Sequence, residues 1–340
     1  MNIRKLVLLT STLAALPAAC HADSLLGVAG AYNLVALGTV NAQGNTVIAG
    51  NISTQADVTG RIAAANMVLD GTTIGSAFQN SGAPDPNGFA GAYALVAGNG
   101  VASNATFNIN GGGNVYNPGG NGQFNLNHSG TSVVTTGPSP IDFTTLRTTL
   151  DSETLTLAAL FDTGTVGAHT PPGGNPSWFV LSGTSATLNI FTLTAAEFAS
   201  TNNPIDIQVP VGSTVIINVD GTNVTLGAGI YVNGVQESDQ NNDDGDILFN
   251  FADATSVAID GQLDGSVLAP FATLTGSSQM GGTFIAAAIG QTGEVHNIEF
   301  TGTVPPTDPS SPVPEPGTLA MMGTGAISLA SMLRRRKVIS

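Results

Sequence analysis

The densest run of ligating oxygens in this chain is Glu237-Ser-Asp-Gln-Asn-Asn-Asp-Asp-Gly-Asp246. Asp239, Asn241 and Asp243 alternate as the oxygens of a calcium loop do, and Asp244 and Asp246 add two more carboxylates. Calcium collects six to eight such oxygens, and extracellular modules hold it with dissociation constants of about 10⁻⁴–10⁻³ M. The EF-hand pattern is not met: Gly245 falls one place late, and Asn250 stands where the bidentate Glu belongs. The cluster reads either as a calcium site or as a solvated acidic loop. Calcium is the one cofactor the sequence suggests. Glu294 and His296 alternate on an expected strand and face the same way, as a metal or acid–base pair would. No third ligand or partnered nucleophile accompanies them, so His296 reads as a hydrogen-bonded structural histidine. The remaining histidines are His21, His128 and His169, in the leader and in Gly/Ser/Pro loops. Gly-x-Ser-x-Gly, His-Glu-x-x-His and phosphate-loop patterns are absent from the sequence. The expectation is a protein that is not an enzyme.

The elements that would position such groups are β-type. Only 9% of residues are charged and 6% aromatic, while Gly contributes 43 of 340, a composition of short strands and tight turns. An apolar content of 42% is enough to build a core, which argues against disorder. Between residues 23 and 316 only Arg61 and Arg147 are basic, against all 23 carboxylates, a net charge near −21. Such a body repels phosphate, so nucleic acid is excluded as a partner. Cys20 is the single cysteine and lies in the leader, so the body must stand on packing and backbone pairing alone.

Both ends read as addresses. Residues 1–22 carry Arg4 and Lys5, an apolar run over 6–16, and Cys20-His21-Ala22 as a small-residue cleavage site, the pattern of a secretory signal. A lipoprotein acylated at Cys20 is the competing reading, disfavoured by Pro17 three places before it. The body spans 23–303, and a Pro/Ser/Thr-rich linker follows at 304–312. The tail, 313–340, opens on Val313-Pro314-Glu315-Pro316, continues with an apolar run over 317–333 and ends on Arg334, Arg335, Arg336 and Lys337. As a helix the run would reach about 25 Å, enough for a thin bilayer. The basic cluster would hold the end in the cytoplasm.

Within the body, runs such as 46–52, 60–69, 214–219, 256–259, 265–269 and 283–288 recur at spacings of roughly 10–20 residues. They fit the rungs of a parallel β-helix, with a β-sandwich as the alternative. Residues 142–161 break the pattern. Leu146, Leu150, Leu157 and Leu160 fall at helical intervals between Phe143 and Phe161, with Asp142 as N-cap, predicting one helix along the β-helix flank. A shorter helix is expected over 194–200, where Thr194 and Glu197 form a capping box. The Gly/Asn-rich stretch 79–127 reads as turns and loops, or alternatively as an adaptable polar binding face.

The tail resembles the PEP-CTERM sorting signal, which implies an exosortase-type processing enzyme as partner in a Gram-negative, exopolysaccharide-producing bacterium, with processing near 314–316. That tail is also called an ice-binding protein C-terminal domain, a label that says nothing about ice in this chain. The body resembles the choice-of-anchor A family. The motifs that carry the likeness begin with Leu26-Gly-Val-Ala-Gly-Ala-Tyr-Asn-Leu-Val-Ala-Leu-Gly38, Val58-Thr-Gly-Arg-Ile-Ala-Ala-Ala-Asn66, Ile141-Asp-Phe143 and Leu188-Asn-Ile-Phe191. Pro210-Val-Gly-Ser-Thr-Val-Ile-Ile-Asn-Val219, Ile247-Leu-Phe-Asn-Phe251, Gly265-Ser-Val-Leu-Ala-Pro270, Gly293-Glu-Val-His-Asn297 and Phe300 complete them. Ala64-Ala65 departs from a glycine-rich family pattern and leaves that turn less backbone freedom. The opening segment and Gly50-Asn-Ile-Ser53 are also similar to ice-binding β-helix proteins. The resemblances imply an exported adhesin of the cell surface or biofilm matrix. It would cross the membrane through the Sec translocon as an inner-membrane-anchored precursor and meet exopolysaccharide or another surface polymer. A secreted polysaccharide-active enzyme and an ice-binding protein are the alternatives. The single Trp178 argues against the first, and irregular strand threonines argue against the second.

Overall fold

A computed structural model describes residues 25–76, 93–127, 132–169, 178–199, 204–227, 229–236, 246–290 and 293–304. The leader, His128, residues 237–245 of the acidic cluster and the tail from 305 onward lie outside the described residues. The chain divides into two units, Met1–Thr303 and Val304–Ser340. All the described strands and helices belong to the first. Among the described residues no helix is long and apolar enough to cross a membrane, and the run expected to do so, 317–333, is not among them.

The protein is mainly β, organised on one long sheet. Its main path uses β1 (Leu34–Ala36), β2 (Ile62–Ala64), β3 (Tyr93–Ala97), β4 (Asn114–Tyr116) and β5 (Val134–Thr135), then β6 (Leu188–Thr194), β7 (Thr214–Asp220), β8 (Ile247–Asn250), β9 (Ser266–Gly276) and β10 (Phe284–Gly290). Their order in space is β5-β4-β3-β2-β1-β10-β9-β8-β7-β6, every neighbour parallel. A Greek-key sandwich would pair antiparallel; this path is consistent with stacked coils.

The chain thus starts in the middle of its own sheet, winds outward to β5, and resumes at the opposite edge with β6 to wind back. Two further parallel layers follow the same order. In the second, Asn223–Leu226 pairs with Ser256–Ile259, which pairs with the end of β9, and that with the end of β10. Ile289 then bridges to Ile52 and Ile52 to Val68, beside Gly100–Val101. The third runs Gln123–Leu126, Thr106–Ile109, Thr73–Ile74, Val58, Val295–His296, Met280–Gly281 and Leu263–Asp264. Side chains alternating inward from all three layers form one apolar cluster, from Leu34 and Ile52 through Val115 to Val224, Leu274 and Val295.

The long sheet is buried on both faces: Leu34 and Ala36 point into the cluster, and Val35 between them is also fully buried. Across the second face lies α1 (Phe143–Ala158), packed on β7, β8 and β9. Asp142 caps it as expected, accepting from the Thr144 and Thr145 N–H groups at 3.0 and 3.1 Å. The buried stripe is Leu146, Leu150, Thr154 and Leu157. Thr154 belongs to it because the sheet opposite is polar there: Thr154 Oγ1 donates to Asn250 Oδ1 at 2.5 Å, and Asn250 Nδ2 donates to Asn218 Oδ1 at 2.9 Å. Asn218 Nδ2 returns to the Leu157 carbonyl at 3.0 Å. The helix ends before Phe161, which is 91% exposed and no part of the core. The short helix α2 (Ala195–Phe198) carries the expected capping box, and its Phe198 meets Phe249 and Phe251 edge-on at 5.7 and 5.8 Å.

Two expectations are corrected. Thr46–Ile48 is not a rung but the return strand of an antiparallel hairpin with Thr39–Val40. The stretch 79–127, read as loops, contains β3, β4 and three other strands among its described residues.

Asn33 joins the two directions of winding. It is fully buried. Its Nδ2 donates to the Gly282 carbonyl at 2.8 Å and the His296 carbonyl at 3.1 Å, and its Oδ1 accepts from the Arg61 N–H at 3.2 Å. Gly60 leaves the room, since a Cβ there would sit 1.5 Å from Asn33 Oδ1.

Asn33→Ala takes its partner from the Gly282 carbonyl and the Arg61 N–H, while the His296 carbonyl keeps the Ile298 N–H at 3.0 Å. The change is expected to destabilise the fold by about 2–3 kcal/mol in denaturant titration, and an unchanged midpoint would refute this role. A second prediction concerns Asp151 of α1. Its Oδ1 is buried without a partner, and burial pushes its carboxyl up to about 6, against the pull of the Arg147 charge. The folded state therefore holds a proton that the unfolded state has released between about pH 4 and 6, so this group's contribution to stability falls as pH rises through that window. Asp151→Asn is expected to raise the melting temperature at pH 7, with the gain vanishing by about pH 3.5. Equal melting temperatures at pH 7 would contradict it.

Candidate functional site: the uncovered layer and its corner cleft

Among the described residues the second layer is met by the short helix α2 at its end strand, Asn223–Leu226, and its outward side stays partly exposed. Along its paired strands the inward row Val224, Val257, Leu274 and Ile289 is buried in the core. The residues on either side alternate outward. One outward row reads Asn223, Ser256, Thr273, Ala288; the other reads Thr225, Ala258, Thr275, Gly290. Asn51 and Ser53 flank Ile52 and carry the rows onto the first strands of the chain, through Ile289 N–H to Asn51 O at 3.0 Å and Ser53 N–H to Ile289 O at 2.9 Å. Every side chain here is small and none is charged. In-register parallel pairing keeps like heights side by side, so these rows are level and hydrogen-bonding up to Asn51 and Ser53. Beyond them the longer Met67 and Leu69 flank Val68, and Ser53 Oγ bonds the Asp70 carboxylate.

Where this layer turns into the long sheet, asparagines stack. Asn99 Nδ2 donates to Asn66 Oδ1 and Asn66 Nδ2 to Asn51 Oδ1, both at 2.7 Å. Two more ladders stand on the third layer, Asn125 to Asn108 at 2.9 Å and Asn127 to Asn110 at 2.8 Å, with Phe107 and Phe124 stacked 5.5 Å apart beneath them. The sequence reading missed these ladders. The signal was there: Phe107-Asn-Ile-Asn110 recurs as Phe124-Asn-Leu-Asn127, one coil later. Beside the first ladder lies a cleft of about 230 Å³ between the Thr39–Ile48 hairpin, the Asn66 and Asn99 side chains and Arg147 of α1.

Of the sequence-derived metal residues, Asp239, Asn241, Asp243 and Asp244 lie outside the described residues. Asp246 is described, and its Oδ1 accepts from Thr301 Oγ1 at 2.9 Å. Among the described residues no three His, Cys, Asp or Glu converge as a metal site. Glu294 and His296 do flank the buried Val295, as alternation requires. The main-chain carbonyl of His296 is tied to Asn33. The sorting residues Val313, Pro314, Glu315, Pro316, Arg334, Arg335, Arg336 and Lys337 are outside the described residues.

Residues 25–297 match the family model described as "Putative Ice-binding-like adhesive domain", and residues 312–337 match the PEP-CTERM protein-sorting motif. The chain belongs to the ice-binding-like adhesive domain family. The match carries this description and not the choice-of-anchor A name expected from the motifs. The tail implies export and surface sorting, with processing by an exosortase-type enzyme. No curated protein matches the chain. Among solved structures it is similar to an ice-binding protein from the Antarctic ascomycete Antarctomyces psychrotrophicus, with 10% identity, TM-score 0.37, and 81% of this chain and 97% of that one covered. It is also similar to a glycosylated ice-binding protein from an Arctic yeast, with 15% identity, TM-score 0.32, and coverage of 84% and 97%.

Proposed function

We propose that this member of the ice-binding-like adhesive family is a non-enzymatic surface adhesin of an exopolysaccharide or biofilm matrix, of the choice-of-anchor A type. Its body is a parallel β-helix whose second layer holds polymer. The precursor crosses by the Sec translocon, is held at the inner membrane by 317–333, and is processed at the Pro314–Pro316 motif. The observation that carries the adhesive reading is the pair of outward rows, Asn223-Ser256-Thr273-Ala288 and Thr225-Ala258-Thr275-Gly290, which stay partly or fully exposed among the described residues. A level face of hydroxyls, amides and methyl-sized gaps suits an extended polymer bound by many weak contacts, whose strength comes from their number. Three threonines on these rows, Thr225, Thr273 and Thr275, favour ice as the second reading.

The test is retention of the full chain by immobilised polysaccharide, collagen and ice. Ala258→Glu combined with Thr275→Glu places two carboxylates on the level face without touching the core. Polysaccharide retention is expected to fall at least tenfold, about 1.4 kcal/mol, with the melting temperature held. Retention by ice alone would transfer the assignment to ice, and turnover of a sugar polymer would replace it with an enzyme. Polysaccharide retention unaffected by the double variant would refute the face.

A further inference from the structure

The cleft beside the asparagine ladder is distinct from the level face and chemically unlike the rest of the surface. Arg61 and Arg147 are the two basic residues among the described ones. Arg61 is buried at 8% exposure, which leaves Arg147 as the cation that reaches solvent. It does so into the cleft, on the first turns of α1, opposite Asn66 and Asn99. The ladder spends only part of those amides. Each –NH₂ has two donors and uses one along the ladder, so each keeps a second N–H, and Asn99 Oδ1 stands at the ladder's end as an acceptor. The hairpin supplies Thr39 and Thr46 on one wall and the half-exposed Val40 on the same side. Thr39 is held in place by accepting the Ile48 N–H at 3.1 Å.

A guanidinium matches a carboxylate in plane and spacing. Amide donors and hydroxyls set around it match the hydroxyls of a sugar ring, and 230 Å³ approaches the lower end of small-molecule pockets. The long-range field of so acidic a body opposes anions, but at physiological salt that field fades within about 8 Å. At the cleft the local balance is between Arg147 and the half-buried Asp151 one turn along α1, which offsets part of the Arg147 charge. We infer that this cleft binds one carboxylate-bearing sugar unit, a uronate, with Arg147 on the carboxylate and Asn66 and Asn99 on ring hydroxyls. The inference rests on the adhesive reading for its polymer and adds to it a chemical preference: the level face holds chain length, and the cleft selects acidic residues in it.

The test uses the full chain with methyl glucuronide and methyl glucoside as monomers, followed by nuclear magnetic resonance of the Arg147 side chain and the asparagine amides. Methyl glucuronide is expected to shift these signals saturably and methyl glucoside to leave them unmoved. Arg147→Gln should weaken methyl glucuronide at least tenfold, and Arg147→Lys should weaken it less. Asp151→Asn, which leaves Arg147 without its acidic neighbour one turn away, should not weaken it. No saturable shift, or equal affinity in Arg147→Gln, overturns the cleft. Because the monomers do not depend on the level face, this outcome is separable from that of the face. If polymer retention survives Arg147→Gln and fails only with the two glutamates on the face, the adhesive reading stands and the cleft falls. If polymers are not retained but methyl glucuronide binds, the reverse holds.

Discussion

The structure hangs on the seam where β1 pairs with β10. Parallel strands need a crossover to return, and here the crossover is the whole chain. Asn33 and Gly282 are bonded across 249 residues of sequence. Closing so large a loop costs entropy before any contact repays it, and it makes this the least local pairing in the fold. The seam is correspondingly well supplied. Backbone bonds run from Phe284 N–H to Asn33 O at 2.7 Å and from Leu37 N–H to Ala286 O at 2.9 Å. Asn33 adds three side-chain bonds in a fully buried setting, where an unmade bond is costly. Gly60 has no side chain because Asn33 occupies its place.

The same winding decides which surfaces are available. The connection from β5 to β6 passes through α1, and α1 must lie on the long sheet to reach its other edge. It buries the outward side chains there and locks to the sheet through Thr154, Asn250 and Asn218. Among the described residues the outward rows of the second layer stay partly exposed, so they must be soluble in their own right; small uncharged side chains meet that need. Arg147 reaches the cleft for the same reason. It is half-buried at the margin of the helix's buried stripe, one place after Leu146 and three before Leu150, where a long side chain can reach past the sheet contact.

Much of this was legible. Asp142 before a leucine stripe and Thr194 before Glu197 specify both helices through local chemistry that tertiary context has no cause to override. The alternation of apolar runs with Gly and Asn turns indicated stacked strands. What failed was what depends on partners far away. Thr154 had no place in the expected leucine stripe because the buried Asn250 that makes it part of the stripe is 96 positions distant. Asparagines between 99 and 127 looked like loop residues because their ladder partners lie one coil away, and in isolation Asn prefers turns. Phe161 looked like core because it ended an apolar run, yet the helix stops at Ala158. The order of winding, with both ends of the body meeting mid-sheet, has no signature in any single stretch of sequence.

One consequence of that winding is mechanical. In a sheet laid down in simple succession the first and last strands are the edges, and a pull on either end peels them one bond at a time. Here β1 lies between β2 and β10, and β10 between β1 and β9. The edges are given to β5 and β6, which are internal to the chain. Tension entering through the end of the body therefore meets strands held on both sides, and two ladders must shear together before anything gives. If the body is held by its tail and loaded through its surface, as proposed above, this arrangement reinforces it where the load arrives.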